Sequence, residues 1–400
     1  MINNPCQQLK QLYQNFSKFN REKIDLDLLV EQGSIQELIS LEDTVTQRVE
    51  LYEIYKTEVK GLLREWYDND EFIRNIQFEP GGRVVVDGDL IVEFHQGVFP
   101  SVIRKVNGKL EIVRDGIKSI DHLEEVGGPL VLNGIKSIES MASLKEVGEI
   151  SLIGTRITSF PKLHTVHGRF LAKSNEFLQE LPDLEYVGGN FQIPQASQLE
   201  TIPKLSVVKG DLTAAGASKL RGLPLLEVVD GKLDINDTDI KELPNLFIVG
   251  GHFQLWDSNL ESLPLLREVQ GEVLLSETRV KGLPNLVKAR SIRISECPNF
   301  RDLESLKESG YLILAGTKVN SLPELVHADY FECPQTLTEA PKLETVGTLI
   351  MKNTNIKQFP LLREIEERLV LRYPGVNNFR RLFPSLKIIG VILDNSTRIS

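Results

Sequence analysis

Apolar positions along most of the chain return at a fixed interval, and within each interval their spacing changes halfway. Between Val249 and Leu255 apolar or glycine positions alternate with others (Val249, Gly251, Phe253, Leu255), whereas from Leu260 they fall every third residue (Leu260, Leu263, Leu266, Val269). The alternation predicts a strand buried on one face. The three-residue spacing predicts an extended or 3₁₀-like return path whose every third side chain points inward. The unit recurs on both sides, as Val229-x-Gly231-x-Leu233-x-Ile235 before and Val269-x-Gly271-x-Val273-x-Leu275 after, with a period of about 20 residues. The first strand position can be followed from Leu90 to Ile392, which predicts roughly fifteen turns. Spacing loosens after Val273, and Phe331 and the segment from Tyr373 to Phe383 fit least well.

A period this short cannot hold a strand, a full helix and two loops, so each turn is expected to be a thin coil. One coil cannot bury its apolar stripe alone; coils stacked about 4.8 Å apart share a continuous core and pair their strands in parallel. Gly188, Gly210, Gly231, Gly251 and Gly271 recur before the strand, where a tight turn or close backbone approach is expected. Pro224, Pro244, Pro264 and Pro284 recur after an inward leucine, which excludes a helix interior there.

Leu152-x-x-Thr155-x-Ile157-x-x-Phe160-Pro161, Leu314-x-x-Thr317-x-Val319-x-x-Leu322-Pro323 and the Val249-Gly250-Gly251 entry to a strand resemble the short bacterial-type leucine-rich repeat. The likeness is to its variant V-G-G-x-L-x-L-x-x-T-x-I-x-x-L-P and covers about four-fifths of the chain. It implies a repeat solenoid, mainly β, with an inward hydrogen-bonding column at the consensus Asn position. Thr155, Thr238, Ser258, Thr278, Cys297, Thr317 and Thr354 stand there in this chain. A right-handed parallel β-helix is the alternative architecture.

Residues 1–78 differ from the solenoid expected over 79–400. They lack the repeat and read as an α-helical cap or recognition segment. Asn4-Pro5 precedes helically spaced Leu9, Leu12, Tyr13, Phe16 and Phe19. Ser34-x-x-Glu37 resembles a capping box opening a long amphipathic stretch through Tyr55, Val59, Leu62 and Trp66, with Asn69-Asp70 closing or bending it. Shielding an open solenoid end is one role for such a segment. Bacterial effectors that resemble this chain carry helical segments before their repeats, which implies targeting as the other.

The net charge of −10 argues against nucleic acid or an anionic membrane as main partner. Three scattered cysteines, Cys6, Cys297 and Cys333, give neither a disulfide framework nor a zinc spacing. Without a basic-then-apolar start or a long apolar run, the expected location is the cytoplasm, or outside it by export without a cleavable signal peptide.

Chemistry is sparse. No phosphate-binding glycine loop occurs. His164-x-x-His167 lacks a completing ligand, so no metal and no cofactor are expected. The resembling effectors often carry a ubiquitin-ligase domain with a catalytic Cys after their repeats; the chain ends at Ser400, soon after Ile392, so that activity is not expected here. Glu124-Glu125, Glu366-Glu367, Asp211 and Asp234 lack the paired register and the aromatic row that a glycosidase would use.

Partner binding is therefore the leading expectation: a non-enzymatic protein-interaction scaffold. The outward strand positions Asp234, Gln254, Leu274, Arg293, Ile313 and Ile350, with Trp256 one row on, form the candidate face. Mutual packing along the sheet is the competing explanation for their apolar character. The functional alternatives are a carbohydrate-binding or carbohydrate-acting β-helix and a bacterial effector acting on a host protein; self-association is also open.

Overall fold

The computed structural model describes residues 53, 55–67, 69–79, 83–93, 99–173, 175–372 and 379–394, with backbone alone from 388 on. The chain winds as a parallel β-solenoid of about 14 turns, about 20 residues per turn. It divides into two compact units, Met1–Leu163 and His164–Ser400.

The first unit opens, among described residues, with a helix over 55–66. Tyr55, Val59, Leu63 and Trp66 are buried along one stripe; Leu63 takes the inward place that the sequence pattern gave to Leu62, which is only half-buried. Asn69 does not merely end this helix. Its side chain accepts from the N–H groups of Glu71 (2.9 Å) and Phe72 (3.0 Å), capping a second short helix, Asp70–Arg74. The strand Ile76–Phe78 then pairs antiparallel with Val84–Val86. Trp66 meets Phe99 edge-on at 5.7 Å, and the Tyr67 hydroxyl donates to the Ile91 carbonyl at 3.1 Å, so the helix shields the first coil as a cap. The helical expectations for residues before 53, including Ser34 and Glu37, lie outside the described residues. Parallel pairing follows, as Leu90↔Leu110 and Leu110↔Leu130.

The second unit continues the same plan. Leu233, Phe253, Val273, Ile292, Leu312, Phe331, Leu349 and Leu369 pair in parallel and in register. All eight are completely buried, as are Leu260, Leu266 and Val269 on the return path. Thus two spacings in the sequence become two walls around one core.

The glycines before the strand serve close approach. A Cβ on Gly251 would sit 2.6 Å from the Gly231 carbonyl carbon, and the Gly251 N–H donates to the Gly231 carbonyl at 2.9 Å. The bend column of Thr155, Thr238, Ser258, Thr278, Cys297, Thr317 and Thr354 is buried. Thr155, Thr238 and Thr317 each donate to the carbonyl three residues back, at 2.8–3.1 Å, so a hydroxyl serves the bend locally. Asn175, fully buried, occupies the same place in its own coil; sequence reading had passed over it.

Candidate functional site

Strand alternation places one row of side chains outward between two inward ones. In the second unit that row runs Asp234, Gln254, Leu274, Arg293, Ile313, Glu332, Ile350 and Val370, each paired with the next. Six of the seven residues singled out from the sequence therefore share one row, and Glu332 fills the gap between Ile313 and Ile350. Trp256 lies one row further along, in register with Ser276 and Ser295. Its indole is 49% exposed, the largest apolar group on this margin.

The sequence did not announce the tyrosines. Tyr311 and Tyr330 pair directly across neighbouring strands and stack with ring centroids 5.4 Å apart. The Arg293 guanidinium lies over the other side of Tyr311, 5.6 Å from its centroid. These two rings lie four and five coils from Asp234 and do not accompany the carboxylates weighed for glycosidase chemistry. The missed signal was the residue before the first inward strand position, which is Tyr at both 311 and 330.

Charges on the face are partly self-satisfied. Asp234 is bound by Lys232 (3.0 Å) and by the Asn236 side-chain amide (2.8 Å), which leaves its carboxylate 13% exposed. This carboxylate braces its own strand. Glu332 pairs with Lys352 at 2.7 Å. Burial, and secondarily the Glu332 carboxylate, push the Tyr330 phenol above its ordinary value. Leu274, Ile313 and Ile350 remain half-buried, so their outer surfaces are open.

Candidate chemistry elsewhere stays dispersed. Among the described residues no group of three His, Cys, Asp or Glu side chains could hold a metal ion. His164 meets the Thr165 hydroxyl at 3.0 Å. Cys297 is buried against Thr278 Oγ1 at 3.3 Å. Cys333 is buried too, and burial first, then Glu332, raises its thiol well above the usual range, so it stays protonated at neutral pH. No helix among the described residues is long and apolar enough to cross a membrane. Leu225, Phe247 and Leu265, outside the strands, are exposed as well. Comparison with protein-family models and with curated proteins finds no match.

Proposed function

We propose that this protein is a non-enzymatic interaction scaffold of the short leucine-rich-repeat type, which docks a protein partner on the outward strand face of its second unit. The observation that carries this reading is the in-register strip of Leu274, Arg293, Ile313 and Ile350, bordered by Trp256 and the Tyr311–Tyr330 stack. Trp, Tyr and Arg around aliphatic side chains have the composition of an interface hot spot. The repeat type draws support from the buried Thr, Ser and Cys column at the consensus Asn position.

A carbohydrate role has less support. Tyr311 shares one ring face with Tyr330 and has the Arg293 guanidinium 5.6 Å from its centroid, so its ring is partly engaged within the face. Asp234 is held within its own strand, which leaves no free carboxylate pair at that point. A bacterial effector acting on a host protein would use the same docking face, and that origin rests on the family resemblance alone.

The test replaces Trp256 and Leu274 together by glutamate. Loss of about 30-fold or more in affinity for a captured partner is expected, the scale of a hot-spot residue. Circular dichroism should be unchanged, because neither side chain belongs to the core. Undiminished capture by the folded double variant would refute the docking face.

A further inference from the structure

We propose that the open sheet face takes an extended segment of a partner protein bearing lysine or arginine, with its cations set against an acidic column along one margin of the face. This inference rests on the docking reading above and specifies the partner's chemistry. The column consists of Asp237, Asp257, Glu277 and Glu296 on four successive coils, all exposed. Each directly follows a residue of the row that holds Trp256: Asn236, buried in a turn, and then Trp256, Ser276 and Ser295 at strand ends. The Asp257 N–H donates to the Ser276 carbonyl (3.2 Å) and the Glu277 N–H to the Ser295 carbonyl (3.3 Å), which keeps these residues at the coil-to-coil spacing. Four carboxylates so spaced extend over about 14 Å, the length of roughly four residues of extended chain.

Three features give the face a sign. First, among the described residues no ion pair engages any of these four carboxylates. Some other acids of the winding are neutralised from the next coil, as Lys281 does for Glu261 at 2.6 Å and Lys209 for Asp230 at 3.0 Å. Second, the four residues hold left-handed backbone, with φ of 54, 44, 55 and 52°. The same position is glycine in the flanking coils, Gly216 and Gly316. Aspartate tolerates that conformation, which accounts for Asp237 and Asp257, whereas local backbone preference does not account for Glu277 and Glu296. Third, the half-exposed Trp256 indole adjoins the column, and indole is the strongest aromatic partner for an ammonium or guanidinium group.

Charge also discriminates among occupants. A column of uncompensated carboxylates repels phosphate, and a chain of net charge −10 opposes close approach of a second copy. A cationic segment relieves the repulsion within the column while its apolar residues cover Leu274 and Ile313.

The experiment selects peptides from a random display library on the full chain, with the Trp256→Glu, Leu274→Glu double variant as counter-selection. Selected peptides are then titrated by fluorescence anisotropy. A second variant carries Asp237→Asn, Asp257→Asn, Glu277→Gln and Glu296→Gln, which keep side-chain shape and remove charge. Face-dependent peptides enriched in Lys and Arg are expected. Their affinity should fall about tenfold or more in the neutralised variant, and about tenfold as salt rises from about 50 to about 300 mM. Binding should also shift the emission of Trp256, a shift absent from Trp256→Phe. Face-dependent peptides without cationic enrichment, or with affinity untouched by neutralisation, overturn the basic-segment inference while the docking face stands. If no selected peptide depends on Trp256 and Leu274, both fall.

Discussion

Two stretches of the second unit solve the same winding problem differently. In the coils from Thr165–Val166 to Phe253–Trp256 each strand is broken in two, as in Val228–Val229 and Leu233–Asp234. From Glu268–Ser276 onward it runs unbroken for seven to nine residues. The first stretch places three residues between its two inward positions, such as Gly250, Gly251 and His252 between Val249 and Phe253. Four successive coils of the second stretch place two, as in Arg290 and Ser291 between Ala289 and Ile292, or Asp329 and Tyr330 between Ala328 and Phe331.

That single residue changes what the surface offers. With three, an inward glycine touches the glycine of the next coil and the strand bends around the contact. With two, no such column forms, and Tyr311 and Tyr330 join the outward face and stack. The aromatic part of the docking face therefore belongs to the shorter-gapped coils, and the acidic column spans the transition into them.

The comparison can be broken most forcefully through what both stretches share. Phe253→Ala and Leu312→Ala each empty a completely buried site, and each should lower unfolding free energy by about 2–5 kcal/mol in denaturant titration. A large loss in only one stretch would show that the two do not share an equivalent core. Gly251→Ala comes next. Its methyl would meet the Gly231 carbonyl carbon, and a loss of about 1–3 kcal/mol is expected from such overpacking.

Inserting one glycine between Arg290 and Ser291 should restore the three-residue gap. The expected loss is about 1 kcal/mol or less, since a strand absorbs one extra residue as a bulge. A loss as large as that of Phe253→Ala would mean that gap length is not an independent variable.

The smallest effect is alkaline. Tyr330 is held neutral above the ordinary phenol value, chiefly by burial and then by Glu332. Its unfolded form releases the proton first, so its contribution to stability is complete below the ordinary value near 10 and declines as pH rises toward the folded one. Absorbance titration of Glu332→Gln should show Tyr330 ionising at lower pH than in the parent chain. An unmoved titration would remove Glu332 from the account of this tyrosine.

Much of the winding was legible because each buried position carries a chemical requirement. Leu260, Leu263, Leu266 and Val269 had to be apolar at a three-residue spacing, and Thr238 and Thr278 had to be small at the bend, where Ala196 and Ala217 stand in two other coils. The row from Gln254 to Ile350 followed from alternation except at Glu332, which strand register added. The irregular spacing after Val273 was visible, but its meaning was not. A missing residue in one coil reads as lost register until the neighbouring strands show that pairing continues without it.

The sequence by itself therefore determined the coil: its period, its inward residues and the parallel stacking that a one-sided apolar stripe compels. Only the tertiary structure decided which outward side chains meet. Tyr311 and Tyr330, or Asp257 and Glu277, stand about one coil apart in the chain and become neighbours through strand register. Periodicity states where a side chain points, whereas contact between exposed groups depends on the relative placement of adjacent windings, which the backbone hydrogen bonds between them fix.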